Sequence, residues 1–393
     1  MLRFLTAGES HGPQLTAIID GIPAGLPLSQ ADIDGELARR QIGYGSGGRM
    51  QIERDQAQIT SGVMNGKTTG APIALTVDNR DFKNWKEKDI APITTPRPGH
   101  ADLTGALKYG YRELRLSLER ASARETTMRV AVGAICRKFL SQFGISIGGY
   151  VVQIGQVKAD IDDMADHHDL YQRAEQSDVR CPFSDVTEAM HEAIRQAKIE
   201  KDTLGGIFTI FATGVPVGLG SHVHWDRRLD ARIVGAMISI QAMKGAEIGS
   251  AFENATKYGS QVHDMIDRTE NGDLVRRSNR SGGLEGGITT GDPIIVRVAM
   301  KPIATMLRGA ESVNLATGEA EMTTYERSDF CAVPRAVPIG EAMLAYVLAE
   351  ALLEKVGGDS IEEMMPRYES LRKNRLSDAP MDNVDWRFGF EYE

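Results

Sequence analysis

Residues 49–79 read RMQIERDQAQITSGVMNGKTTGAPIALTVDN, and two incompatible folds compete for them. Within this stretch, Ser61 to Thr68 is one residue short of a phosphate-binding P-loop, with Ser61 where the first glycine belongs. A P-loop must open into a helix, which would make the chain a nucleotide-binding kinase or NTPase. TTGAPIALTVDN instead alternates apolar and polar residues, as a strand does. The upstream arm alternates too, and Asn65-Gly66 lies between the arms. Asn-Gly supplies the two positive-φ positions of a tight hairpin turn. The stretch therefore reads as an antiparallel hairpin, and the P-loop reading falls.

Working outward, Gly43–Gly48 formally matches GxGxxG. It follows a helix expected from an N-cap at Ser29 to about Arg40, so the βαβ context of a dinucleotide fold is missing. Arg40 and Arg49 flank this loop, which suits one that wraps an anionic ligand. Residues 1–27 read as strand, turn, strand around Glu9-Ser10-His11-Gly12. Downstream, helices are expected over 101–118, 123–142, 187–201, 229–243 and 338–356, and strands over 145–159, from 205, and over 294–305. The polar region 160–185 reads as a surface insertion. No linker or internal repeat divides the chain, so a single domain over 1–393 is expected. Strands arriving as hairpins point to an α+β fold with mainly antiparallel sheets.

Totals narrow the function. With 41% hydrophobic and 25% charged residues, the 393-residue chain has an ordinary globular composition. A net charge of −9 argues against a general nucleic-acid binder. Cys136, Cys181 and Cys331 are odd in number and far apart, which fits a reduced, cytoplasmic compartment and no disulfide or zinc framework. No run of transmembrane length is read, so no membrane partner is expected. His222 and His224 would share one strand face without a third ligand, so no metal is expected. His167-His168, between acids, reads as a solvated loop.

Against this acidic total, residues 97–129 reverse sign: RPGHADLTGALKYGYRELRLSLERASARETTMR carries six arginines, Lys108 and His100 against four acids. Guanidinium forks suit phosphate and carboxylate. Arg115 with Glu119, and Glu125 with Arg129, have helical pair spacing. His11 and His100 each sit in a glycine-bearing turn, where each is either a turn histidine with no role or a group that gives up a proton near neutrality. Asp329 fits an N-cap, a surface acid or a catalytic carboxylate equally. Lys301–Thr305 ends a strand at a proline; its amides either meet an anionic or flavin-like ligand or simply end the strand.

Eight motifs, in order along the chain, resemble the chorismate synthase family: LTAGESHGP (5–13), GYGSGGRM (43–50), RPGHAD (97–102), ERASARETTMRVAVGA (119–134), GGIFTIFATGVPVGLGS (205–221), DRRLDARIVGAMISIQAMKGAEIG (226–249), NRSGGLEGGITTGDPIIVRVAMKPIAT (279–305) and ERSDFCAVPRAVP (326–338). The resemblance implies an α+β fold with helices enclosed between antiparallel β-sheets, and a homotetramer. It implies a carbon–oxygen lyase of the shikimate pathway to aromatic amino acids, converting 5-enolpyruvylshikimate 3-phosphate to chorismate by 1,4-anti elimination. Reduced FMN is the implied cofactor, with NADPH a possible reductant. Among implied catalytic residues, His11 serves the leaving phosphate and His100 lies near the flavin. Asp329 handles a proton at the flavin, with Ser10 as helper. Arg40, Ser46, Arg49, Arg97 and Arg124 are implied for the substrate. Arg120, Ala121, Ser122, Gln241, Ala242, Gly286, Lys301, Pro302, Ile303, Ala304, Thr305 and Arg327 are implied for FMN. The family's glycine loop is usually GYGRGGRM; Ser46 removes a charge-assisted contact, typically about 1.5–3 kcal/mol, which weakens the case for NADPH. The rival reading is a non-catalytic FMN- or anion-binding homologue. Arg112 and Arg115 read as surface or subunit-contact charges, so substituting Arg115 should spare turnover and substituting Arg120 should not.

Overall fold

A computed structural model describes residues 1–46, 54–162, 165–324, 328–379, 381–386 and 389. Its first sheet is built around the hairpin. Strands β1 (Arg3–Ala7) and β2 (Gln14–Asp20) precede it; β3 (Ala57–Ser61), β4 (Val63–Met64), β5 (Lys67–Thr68) and β6 (Ile73–Asp78) compose it. Asn65 and Gly66 have φ of 50° and 74°, as a mirror-image turn requires, and Met64 faces Lys67 across it. No helix follows, so the P-loop is excluded. The sheet runs β1-β2-β6-β3, antiparallel throughout. Leu15, Ala17 and Ile19 of β2 and Ile73, Leu75 and Val77 of β6 are buried, whereas Ile18 is exposed: one face lies on the core.

The second sheet comprises β7 (Ser146–Ile154), β8 (Val157–Lys158), β9 (Gly206–Thr213), β10 (Met243–Ile248) and β11 (Ile294–Met300), in the order β10-β11-β9-β7-β8. Helices α1 (Gln30–Gln41), α2 (Asp102–Tyr109), α3 (Arg115–Ala121), α4 (Thr126–Ser141), α5 (His167–Ala174), α6 (Ser184–Ile199), α7 (Leu229–Ile238) and α8 (Val333–Val356) account for most of the rest. On one side α4 packs against β1 and β2, on the other against α8, and α8 in turn lies on β7 and β9. The α+β reading, with helices enclosed between antiparallel sheets, is what forms.

The two central helices meet at a glycine. A Cβ on Gly133 of α4 would stand 2.2 Å from the Ala342 Cβ of α8. Gly133→Ala is therefore expected to destabilise the fold by about 1–3 kcal/mol through overpacking. A urea titration checks it; an unchanged midpoint would mean the helices part freely.

Several expectations are corrected. The helix expected over 101–118 is broken at Gly110, whose φ of 69° ends α2. The helix expected from 338 begins at Val333, because Pro334 is tolerated in a first turn that leaves its N–H positions unbonded. α8 has the length and composition to cross a membrane, unlike anything read from the sequence, yet 83% of its apolar window is buried in the protein. Region 160–185 is not merely a surface insertion: Leu170, Ala174, Val179, Arg180 and Cys181 are buried there, and Leu170 and Ala174 join Tyr150, Val152 and Phe211 on the second sheet. His167 begins α5 rather than lying in a solvated loop. Its Nδ1 is 2.8 Å from the Tyr150 hydroxyl, its ring stacks on Phe211, and burial pushes its pKa down. His222 and His224 do not share a strand: His224 caps a 3-10 turn and pairs with Asp226 at 2.6 Å.

Candidate active site

The turn after β1 is held from two sides. Asn79, at the end of β6, donates through its amide to the carbonyls of Glu9 (3.3 Å) and Gly12 (2.8 Å). From the last turn of α3, the Glu119 carbonyl accepts the Ser10 N–H at 3.2 Å. The Glu119 carboxylate accepts the His11 backbone N–H at 2.7 Å and lies 2.8 Å from His11 Nδ1. Burial alone would push the Glu119 carboxyl up; the His11 ring and amide, with Arg115, more than offset this and hold it below its ordinary value. Trp85 lies against the His11 ring at 4.1 Å, and Ser122 Oγ donates to Ser10 Oγ at 3.1 Å.

A second carboxylate organises the RPGHAD turn. Asp102, the first residue of α2, is fully buried. It accepts from Arg97 Nε (2.8 Å), Nη2 (3.0 Å) and backbone N (3.1 Å), and lies 2.6 Å from His100 Nδ1. Burial opposes ionisation here too, but the His100 and Arg97 hydrogen bonds hold the carboxyl well below the usual range. Arg97 Nη1 also donates to Thr305 Oγ1 at 3.0 Å, tying this turn to the end of β11.

Below both turns sits a guanidinium cluster. Arg124 donates to Asp55 (2.8 Å to each oxygen) and to Asn79 Oδ1 (2.9 Å). Arg40 donates to Thr126 Oγ1 at 2.9 Å and to the Ala123 carbonyl at 3.1 Å. Burial, then the charge of Arg335 and, with Asp55 opposing, that of Arg124, pushes the Arg40 pKa down to about 9. Arg335 pairs with Asp329 and donates to the Arg40 carbonyl.

These groups surround a cavity of about 690 Å³, within the range of small-molecule sites. Arg40, Arg97, Arg124, Lys244, Lys301 and Arg335 line it against one carboxylate among the described residues, Asp329. Burial and then Lys244 push the Lys301 ammonium below its ordinary pKa. Ile240, Met243, Met300 and Ile303 supply an apolar wall. Beside that wall, the buried Gln241 Oε1 has no hydrogen-bond partner among the described residues, although its amide donates to Glu125 at 3.1 Å. Ala242 holds a left-handed φ of 68°, a strain of about 1–2 kcal/mol, while its carbonyl accepts the Lys301 N–H.

Comparison with known proteins decides the family. The family model described as chorismate synthase matches residues 2–353. The chain belongs to the chorismate synthase family. It is 55% identical over 386 residues to the chorismate synthase of Aquifex aeolicus (strain VF5), covering 94% of this chain and 96% of that one. It is 50% identical over 385 residues to the chorismate synthase of Bacillus licheniformis, covering 95% and 99%. A solved structure titled "Crystal Structure of Chorismate Synthase" superposes with a TM-score of 0.77 at 49% identity, covering 94% of this chain and 96% of that one.

For this chorismate synthase family member, the cavity collects Ser10, His11, Arg40, Arg97, His100, Arg124 and Asp329 from the implied catalytic and substrate sets. Of the implied cofactor set it collects Ala121, Ser122, Gln241, Ala242, Lys301, Ile303, Ala304 and Thr305. Pro302 is not among the lining residues. Ser46 turns to its own loop, donating to the Gly43 carbonyl at 2.5 Å. Arg120 is exposed and donates to Thr6 on β1 and to the Gly8 carbonyl just after it, and Gly286 is an exposed hairpin residue beside His222, so neither lines the cavity. Arg49 and Arg327 lie outside the described residues. Arg115 is not a bland surface charge: it approaches Glu119 at 3.9 Å and stacks over Trp85 at 5.4 Å. Sequence reasoning passed over Asp55, Trp85, Lys244, Asp102, Glu119 and Arg335. Asp102 and Arg335 lie inside quoted motifs, close in sequence to His100 and Asp329, and that proximity was the available signal.

Proposed function

We propose that the protein eliminates phosphate from 5-enolpyruvylshikimate 3-phosphate in a 1,4-anti sense to give chorismate, a carbon–oxygen lyase step requiring reduced FMN. The observation that carries this reading is the sign of the cavity: among the described residues six cationic side chains line it against Asp329, and they still outnumber the carboxylates when Asp55 and Asp102, which pair with Arg124 and Arg97 behind the wall, are counted, in a chain of net charge −9. A substrate with a phosphate and two carboxylates needs such a local reversal. In this reading the arginines neutralise the substrate and the departing phosphate. His11 supplies the leaving oxygen with a proton, without which phosphate departs poorly. Asp329, held by Arg335, keeps a proton-accepting carboxylate at the cavity wall, and Ser10 steadies the His11 turn.

The residues present fit a flavin. Gln241 Oε1 is a buried acceptor awaiting a donor, the apolar wall suits a flat ring system, and Lys244 beside Lys301 favours an anionic group between them. Ala121, Ser122, Gln241, Ala242 and Lys301–Thr305 would hold it. When bound, reduced flavin supplies transient electron density to the breaking allylic bond with no net redox change. Ser46, turned from the cavity, favours flavin reduced elsewhere over reduction by NADPH on this chain. A homotetramer would account for Arg120 and Gly286 by bringing them to a neighbouring copy's cavity. Three buried, unpaired cysteines fit a cytoplasmic setting.

Anaerobic incubation with dithionite-reduced FMN and the enolpyruvyl substrate is expected to release phosphate stoichiometrically with chorismate. Tight flavin binding without phosphate release would favour the non-catalytic alternative and sink the lyase reading.

A further inference from the structure

We propose that Glu119 is a positioning residue for the elimination, its carboxylate fixing the His11 ring with a proton on Nδ1 so that Nε2 serves the cavity. The inference rests on the reading of the cavity as a phosphate-eliminating centre.

The geometry is specific. One carboxylate holds both the backbone N–H of His11 (2.7 Å) and its ring Nδ1 (2.8 Å), and the same residue's carbonyl holds Ser10 (3.2 Å). Backbone and ring are thus fixed from one helical turn, while Asn79 fixes the far side of the loop. An ionised carboxylate can only accept, so the proton of this contact resides on Nδ1. The contacts that hold the Glu119 carboxyl below its ordinary pKa keep it in that accepting state. Trp85 closes one side of the ring, and Arg115 spans Trp85 and Glu119, bracing both. Further charged groups about His11 among the described residues include Lys88, 5.7 Å from the Trp85 ring, and Glu9 in the same turn. Glu119 itself is not among the residues lining the cavity, so it acts through the imidazole.

The device occurs twice. Asp102, also absent from the lining, stands 2.6 Å from Nδ1 of His100. A carboxylate on Nδ1 at both histidines, part-buried at Glu119 and fully buried at Asp102, is the arrangement by which proteins set ring tautomer and orientation. In the elimination, the allylic C–O bond breaks with its electron pair going to phosphate, while the ring C–H bond opposite gives its electron pair to the new double bond and its proton to the Asp329 carboxylate at the cavity wall. The Nε2 proton moves to that phosphate oxygen, and Nδ1–H remains, leaving a neutral ring hydrogen-bonded to an unchanged carboxylate.

The test compares wild type, Glu119→Ala, Glu119→Gln and the surface control Arg112→Ala. Phosphate release is followed with reduced FMN across pH, and nitrogen-15 histidine spectra are taken of the flavin-free protein. Glu119→Ala is expected to lower kcat about 10- to 100-fold with KM changed by less than about 3-fold. Glu119→Gln offers one oxygen and one NH₂ where the His11 backbone N–H and ring Nδ1–H need two acceptors, so it is expected to share the fall in kcat. The spectra should show His11 as Nδ1–H in wild type and a mixed tautomer in Glu119→Ala. Unchanged kcat, or an unchanged His11 tautomer, overturns the proposal. Should Glu119→Ala fail to fold, the isosteric Glu119→Gln decides the same question through its kcat and its His11 tautomer. Absence of phosphate release by wild type would refute the lyase reading instead, and the spectra would still decide the tautomer.

Discussion

Asp102→Ala is expected to lower turnover by about 100- to 1000-fold, at the scale of a lost acid–base group. Three Arg97 donors and the His100 ring converge on this one buried carboxylate. Without it, Arg97 keeps Thr305 and the 3.0 Å contact of its Nη2 with His100 Nδ1, and the His100 ring loses its carboxylate partner. Each stranded buried donor costs about 1–3 kcal/mol, and both side chains are free to leave their places at the cavity. Asp102→Asn is no rescue, because its NH₂ would oppose donors. A change in KM should accompany the fall in kcat, since Arg97 lines the cavity; steady-state kinetics on a variant that still melts cooperatively would check both. Turnover within twofold of wild type would show that the RPGHAD turn holds itself. The depressed carboxyl also has a pH signature. Its contribution to stability is fully present above the unfolded carboxyl pKa, near 4, and is lost as pH falls below it toward the folded value.

Glu341→Ala is expected to cost about 3–5 kcal/mol of stability, the usual penalty for removing one partner from a buried ion pair. Glu341 is fully buried in the middle of α8. It accepts from Arg39 Nη1 at 2.7 Å and Arg137 Nη1 at 2.6 Å, joining α1, α4 and α8. Burial would push the Arg39 guanidinium down; Glu341, Glu175 and Glu36 outweigh it and hold it well above its ordinary value. Truncation at Glu341 strands two guanidiniums among packed helices. Chemical denaturation should show a lower midpoint, while KM for the substrate stays near wild type because none of the three residues lines the cavity. An unchanged midpoint would mean that Glu36 and Glu175 suffice for both arginines.

What was legible in the sequence was local or repeated in order. Asn65-Gly66 fixed a turn by its own φ preferences, and alternation fixed which faces of β2 and β6 are buried. Glycine and histidine turns announced most of the cavity wall. What was not legible depends on partners remote in sequence. Glu119 reaches His11 across 108 residues, and no helical spacing rule detects that. Arg115 was judged by its i, i+4 relation to Glu119, whereas Trp85, thirty residues upstream, gives it a role. His167 looked solvated between aspartates because nothing local reveals that Tyr150 and Phe211 lie beneath it. Arg120 and Gly286 show the converse: matching a family motif does not by itself bring a residue to the cavity.

The bond from Arg335 to the Arg40 carbonyl spans 295 residues and depends on α8, the last long helix of the chain. Closing so long a loop carries an entropic cost that local contacts cannot recover in advance. During synthesis, the first sheet, α1 and α4 can emerge and collapse while the anion site still lacks Asp329, Arg335 and the helix that carries Arg335. The growing chain therefore has an incomplete cavity wall until that helix docks, and a chain truncated before Val333 lacks the guanidinium that ties Asp329 to Arg40.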